Sequence, residues 1–186
     1  MTPDETPENL YLQADDLNRR MLASGIHVNR WPRYLRDMYH ALRPGGWCQL
    51  VEMYFSVQSD NGTLTEDHAL RQWTAAYMDS LRDVKDLRAP LRLREMLTAA
   101  GFVDIEHKVI PLPTCGWSTD PRQRDIGIVN RDNIQKLLSS AALYPFVERL
   151  GMPVQDAHLL IANARREADN PAFKASQTLP ITQPCS

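Results

Sequence analysis

At 186 residues, 43% hydrophobic and 24% charged, the chain has enough apolar material for one domain with a real core. A formal net charge of −2 gives no electrostatic reason to expect nucleic acid or an anionic membrane as partner. No apolar run approaches the ~20 residues that span a bilayer, and the widely spaced Cys48, Cys115 and Cys185 imply neither a disulfide framework nor a zinc knuckle.

Residues 1–8 are polar with two prolines, so they read as a disordered tail and not as a secretory signal. A reducing, cytoplasmic setting is the default, with a nuclear one open. Residues 9–14 have the pattern of a short strand leading into Asp15-Asp16-Leu17-Asn18. After Arg19-Arg20 comes the apolar patch Met21-Leu22-Ala23-Ser24-Gly25-Ile26. A helix is predicted from Trp31, with Pro32 in its first turn and Trp31, Tyr34, Leu35, Met38, Tyr39 and Leu42 on one stripe. Pro44-Gly45-Gly46 stops it in a tight turn. Residues 47–55 follow as a mostly apolar strand, covered on both faces and ending near Glu52, with Cys48 as a reduced core residue.

Ser59-Asp60-Asn61-Gly62 makes a turn. Thr63 and Glu66 have capping-box spacing ahead of a helix carrying Ala69, Trp73, Ala76, Tyr77 and Leu81 on one face. Pro90 opens another helix, with Leu93, Met96, Leu97 and Ala100 inward and Gly101 closing it. Alternation of Val103, Ile105, His107 and Val109 predicts a strand over residues 102–110. Residues 111–118 form an irregular segment, a candidate pocket wall. Asn130 or Asp132 is the expected cap of a helix holding Ile134, Leu137, Leu138 and Ala141. Pro153 opens the last helix, with Val154, Ala157, His158, Ile161 and Ala164 inward. Beyond Asn170 the periodicity is lost, so residues 171–186 read as a tail.

Trp31-Pro32-Arg33-Tyr34-Leu35-Arg36-Asp37-Met38, followed by Leu42-Arg43-Pro44-Gly45-Gly46-Trp47-Cys48-Gln49-Leu50-Val51-Glu52, resembles the class I S-adenosylmethionine-dependent methyltransferases. Within them it is most similar to the fungal LaeA-like group associated with secondary metabolism. Ala99-Ala100-Gly101-Phe102-Val103, Leu112-Pro113-Thr114-Cys115-Gly116-Trp117-Ser118 and Arg124-Asp125-Ile126-Gly127 fit the same group, so the resemblance covers roughly residues 9–170. It implies that the helix and turn precede the fifth strand of a Rossmann-like sheet with strand order 3-2-1-4-5-7-6. It also implies S-adenosylmethionine as cofactor and a small natural-product substrate.

The departures carry equal weight. The family's Gly-x-Gly-x-Gly cofactor loop has no counterpart, because the chain's eight glycines include no Gly-x-Gly. Asp15 and Asp16 resemble the acidic turn beside the adenine, with the segment carrying the fourth strand cut out after them, and no seventh strand is recognisable. The expected fold is therefore a helix-rich α/β, partial Rossmann-like methyltransferase fold with an incomplete sheet. It is shortened at both ends, impaired in cofactor binding, and completed by a homodimer or a full-length methyltransferase partner.

Candidate site residues follow, each beside a plainer role. Asp15 and Asp16 are candidate cofactor-binding acids or a solvated turn. Glu52, ending its strand, is a candidate catalytic carboxylate or a capping one. His68 is a candidate general base, although for each isolated histidine a structural role is the commoner one. Trp73, Tyr77 and Trp117 are a candidate aromatic wall for substrate or plain core. No metal-ligand spacing occurs. Three functions stay open: a methyltransferase-like enzyme, a cofactor-independent cyclase using the same pocket, and a non-catalytic partner subunit or degenerate fragment.

Overall fold

The parallel pairing of two strands at the start and the antiparallel insertion of one at the end set the architecture. The computed structural model describes residues 14–186; the expected tail at 1–8 and strand pattern at 9–13 lie outside them. Its strands are β1 (Ala14–Arg20), β2 (Leu42–Val51), β3 (Tyr54–Ser59), β4 (Val103–Pro113) and β5 (Ala175–Cys185). The helices are α1 (Trp31–Ala41), α2 (Ala69–Leu81), α3 (Leu93–Ala100), α4 (Pro121–Ser140) and α5 (Val154–Ala168). β1 runs parallel to β2, whereas β5 is antiparallel to β2 and β3 on one side and to β4 on the other. The lateral sequence is thus β1, then β2 with β3 end to end, then β5, then β4.

That sequence matches the last four places of the family order, 4-5-7-6, and it corrects three expectations. The fourth strand has not been cut out: Asp15-Asp16-Leu17-Asn18-Arg19-Arg20 is part of it. The stretch read as a tail at 171–186 supplies the strand between the fifth and the sixth. The gap that called for a second chain to complete the sheet at that point is filled by β5.

β5 hides because it breaks strand rules at places where its neighbours also break. Pro180 has no N–H to donate, and it faces the interruption between β2 and β3, where Val51 pairs with Ile181 and Tyr54 with Thr178. Its carbonyl still accepts the Glu52 N–H at 3.0 Å. Pro184 lies where β4 bulges between Val103 and Glu106, next to Asp104 at φ 47°. Two prolines sit in a central strand because both fall on irregularities of the ladder.

The Pro-Gly-Gly turn survives as an excursion inside β2. Between the pairs Ala14–Leu42 and Asp16–Trp47 one residue of β1 opposes four of β2, so residues 43–46 loop out. Gly45 takes φ 79°, a region that costs other residues. Its N–H donates to the Ser186 carbonyl at 3.0 Å, and Ser186 N–H returns to Gly46 at 2.9 Å.

Two cores flank the sheet. On one side α1 and α3 bury Trp31, Leu35, Leu93 and Leu97 against Cys48 and Leu50; burial pushes the Cys48 thiol up to about 12. On the other side α2, α4, α5 and the turn at 145–149 bury Trp73, Ile134, Phe146, Ile161 and a row of alanines against Phe55 and Val57. On α5 the buried stripe is Ala157, Ile161, Ala164 and Ala168, while Val154 and His158, expected inward, face solvent. α4 is capped by Asp120, ten residues before Asn130 and twelve before Asp132, the two expected caps, because Asp120 accepts the Gln123 N–H at 2.8 Å and Pro121 fills the first turn. α2 has no Thr63–Glu66 capping box; Thr63 Oγ1 bonds Asn61 Oδ1 at 2.8 Å and His68 precedes the helix.

Candidate functional site

Because β1 and β2 are parallel, their carboxyl ends lie together, the edge at which open α/β sheets meet ligands. The chain leaves β1 through Met21, at φ 54°, whose N–H donates to Val51 at 2.8 Å. The next two N–H groups, of Leu22 and Ala23, donate to Glu52 Oε1 at 2.8 Å and Oε2 at 2.9 Å. Glu52 is fully buried. Burial raises its carboxyl above the usual glutamate range, and the two N–H donors offset part of that rise. Both oxygens are committed to the backbone, so Glu52 positions the turn at residues 21–26.

Through Lys85 that turn is tied to the wall of a cavity of about 620 Å³. Lys85 Nζ donates to the Gly25 carbonyl at 2.5 Å, and the Val28 N–H donates to Val84 at 3.0 Å. Tyr54 and Ser56, on the face of β3 opposite the buried Phe55 and Val57, line one side. α2 supplies Arg71, Thr74, Ala75 and Met78, and the segment after it adds Lys85, Leu87, Arg88 and Arg92. Basic side chains outnumber acidic ones in this lining. Asp79 pairs with Arg82 at 3.1 Å, and Asp86 pairs with Arg92.

Most of the expected site residues are elsewhere. Trp73 is fully buried, donates from Nε1 to the Leu138 carbonyl at 3.0 Å and stacks on Tyr77 with ring centroids 5.1 Å apart. Both rings belong to the core and neither lines this cavity, which meets the opposite face of α2. Trp117 Nε1 donates to the Ala175 carbonyl at 2.8 Å, where Thr114 N–H also donates at 2.9 Å. The segment at 114–118 therefore anchors the start of β5 and takes no part in lining this cavity. Gly127 of α4 packs on it so closely that a Cβ would stand 2.1 Å from the Cys115 carbonyl oxygen.

His68 Nδ1 meets Thr65 N–H at 3.0 Å and its ring abuts Phe173, a structural placement ahead of α2. Asp15 and Asp16 lie toward the amino end of β1, with Asp16 opposite Trp47. At strand rise that is about 16 Å from Met21 and the carboxyl edge.

Trp73→Phe is expected to lower stability by about 2 kcal/mol, through lost volume and an orphaned Leu138 carbonyl. The urea midpoint reports this; a substrate-wall role would show instead as lost ligand binding at unchanged stability. The lining cations escape a reading by sequence because Arg82-Asp83 and its neighbours alternate in sign like a solvated face. The available signal was the run of Arg82, Lys85, Arg88 and Arg92 close behind Arg71 on an amphipathic helix.

In the turn after β1 the N–H groups of Leu22 and Ala23 are taken by Glu52. Among the described residues no group of three or more His, Cys, Asp or Glu converges to hold a metal, and no helix is long and apolar enough to cross a membrane.

No family model matches the chain. Similarity to individual proteins is extensive. The chain is 28% identical over 167 residues to a secondary metabolism regulator laeA of Gibberella zeae, covering 88% of this chain and 53% of that protein. A secondary metabolism regulator laeA of Aspergillus fumigatus is 31% identical over 173 residues, 90% of this chain and 45% of its own length. A probable methyltransferase tdiE of Emericella nidulans is 27% identical over 140 residues, 75% of this chain and 44% of its own. The chain spans about half the length of the curated relatives it matches. With this similarity and the strand order of its sheet, the chain belongs to the LaeA-like group of the class I S-adenosylmethionine-dependent methyltransferase family.

Proposed function

We propose that this chain forms the acceptor-substrate half of a methyltransferase-like protein of fungal secondary metabolism, impaired by itself in holding S-adenosylmethionine. The observation that supports this reading is the cavity of about 620 Å³ tied to the carboxyl edge of β1 and β2 through Lys85 and the turn that Glu52 braces. S-adenosylmethionine, when bound, supplies an electrophilic methyl group. This chain's own residues would bind and orient the acceptor: Tyr54, Ala75 and Met78 contact its skeleton, while Ser56, Thr74 and the basic side chains meet its polar groups. The cofactor-free cyclase loses the aromatic wall it relied on, since Trp73 and Tyr77 are core and Trp117 holds β5.

Isothermal titration of S-adenosylmethionine into the purified chain is the test. The expected result is no saturable heat in the micromolar range. Saturable micromolar binding would remove the impairment, and turnover of a substrate without added cofactor would reinstate the cyclase.

A further inference from the structure

We infer that the cavity takes an organic acid, its carboxylate seated on Arg71 and its skeleton against Tyr54, Ala75 and Met78. This rests on the reading of the cavity as the acceptor site and names the chemical class of the acceptor. Arg71 Nε is buried without a hydrogen-bond partner among the described residues. Glu66 forms a loose ion pair with it at 3.9 Å, beyond hydrogen-bond reach, from a side chain that is 84% exposed, so the Nε–H itself stays unmet. A buried donor on a permanently charged group is costly to leave unmet, so an orphan of this kind asks for an acceptor.

The other acids of the cavity do not answer it, because Asp79 is taken by Arg82 and Asp86 by Arg92. Lys85 and Arg88 add positive charge to the lining. A planar guanidinium fork matches a carboxylate or a phosphate. Size and lining decide between a bare ion and an organic acid. About 620 Å³ falls in the range that holds small organic ligands, and Tyr54, Ala75 and Met78 offer an inorganic ion nothing.

The experiment follows the Arg71 Nε–Hε signal in nitrogen-15 correlation spectra of the whole chain, assigned by its loss in Arg71→Lys. Benzoate, benzamide and inorganic phosphate are titrated separately, with no cofactor present. Benzoate is expected to shift the signal saturably and benzamide to leave it in place. Arg71→Lys, with its melting temperature confirming the fold, is expected to bind benzoate about tenfold more weakly, the equivalent of one lost charge-assisted pairing.

A signal unmoved by benzoate, or equal binding of benzamide, overturns the inference. Phosphate shifting it as strongly as benzoate also overturns it, in favour of an inorganic-anion site. Because no cofactor is present, failure of the methyltransferase reading leaves the Arg71 shift intact. Methyl transfer to a neutral acceptor together with a silent Arg71 would sink this inference alone.

Discussion

Removing residues 175–186 is expected to leave a chain with no cooperative unfolding transition. A dispensable tail would cost nothing, and the difference lies in position. β5 pairs with three strands, and Ala175, Ser176, Gln177 and Thr182 along it are buried. Without it β2, β3 and β4 lose their ladder and expose three strand edges, and the two cores lose the floor that joins them. The loop at 114–118 loses its anchor as well, since Thr114 and Trp117 both donate to the Ala175 carbonyl. Circular dichroism on heating reports the outcome. A truncated chain melting cooperatively within a few degrees of the whole would show the sheet to be held by other means. Ala175→Asp is the point version: a carboxylate placed at a fully buried position is expected to destabilise by more than about 3 kcal/mol.

Glu52→Ala carries the second large effect, a loss of about 4 kcal/mol, because it leaves one buried and one partly buried N–H group unmet and a void. Glu52→Gln is expected to cost about half of that, since one amide oxygen replaces two carboxylate oxygens and the amide NH₂ then faces an N–H. The pH dependence separates charge from shape. The folded-state value of Glu52 is raised above the ordinary 4.5, so in the interval between the two the folded protein keeps a proton that the unfolded chain has released. Stability therefore falls as pH rises through that interval and levels off above the folded value. Glu52→Gln removes that slope. Urea unfolding at several pH values measures both quantities. A loss below about 1 kcal/mol for Glu52→Ala would show that the carboxylate does not brace the turn. Lost activity in a Glu52→Gln protein of unchanged stability would return Glu52 to a chemical role.

These two predictions also mark where local reading stopped. The prolines of β5 and its inward Ser176, Gln177 and Thr182 break the alternating pattern by which strands are read. Thr182 Oγ1 is met at 2.9 Å by His107 Nδ1, 75 residues away, a partner that no sequence window contains. Glu52 was legible as the residue ending a strand, but the donors that occupy it come from a turn some thirty residues earlier. On α2 the helix was legible and the stripe that lines the cavity was not. Trp73 and Tyr77 dominate any estimate of where substrate would lie, yet their size and their partners Leu138 and Phe146 draw them into the core. The stripe with Arg71, Ala75 and Met78 is left facing the cavity.

By itself the sequence determined what depends on neighbours along the chain. These are the stripe of α1, the Pro-Gly-Gly excursion and the strand after it, the Gly101 cap, the alternation of β4, and through them the family. Only the tertiary structure decided which strand lies in the middle, that Asp16 stands at the amino end of its strand, that Glu52 is a brace, and that scattered arginines surround one cavity. The physical reason is common to all four. Helix and turn preferences act over a few residues, whereas the burial of a polar strand, the engagement of a carboxylate and the gathering of like charges are settled by groups that meet only when the sheet has formed.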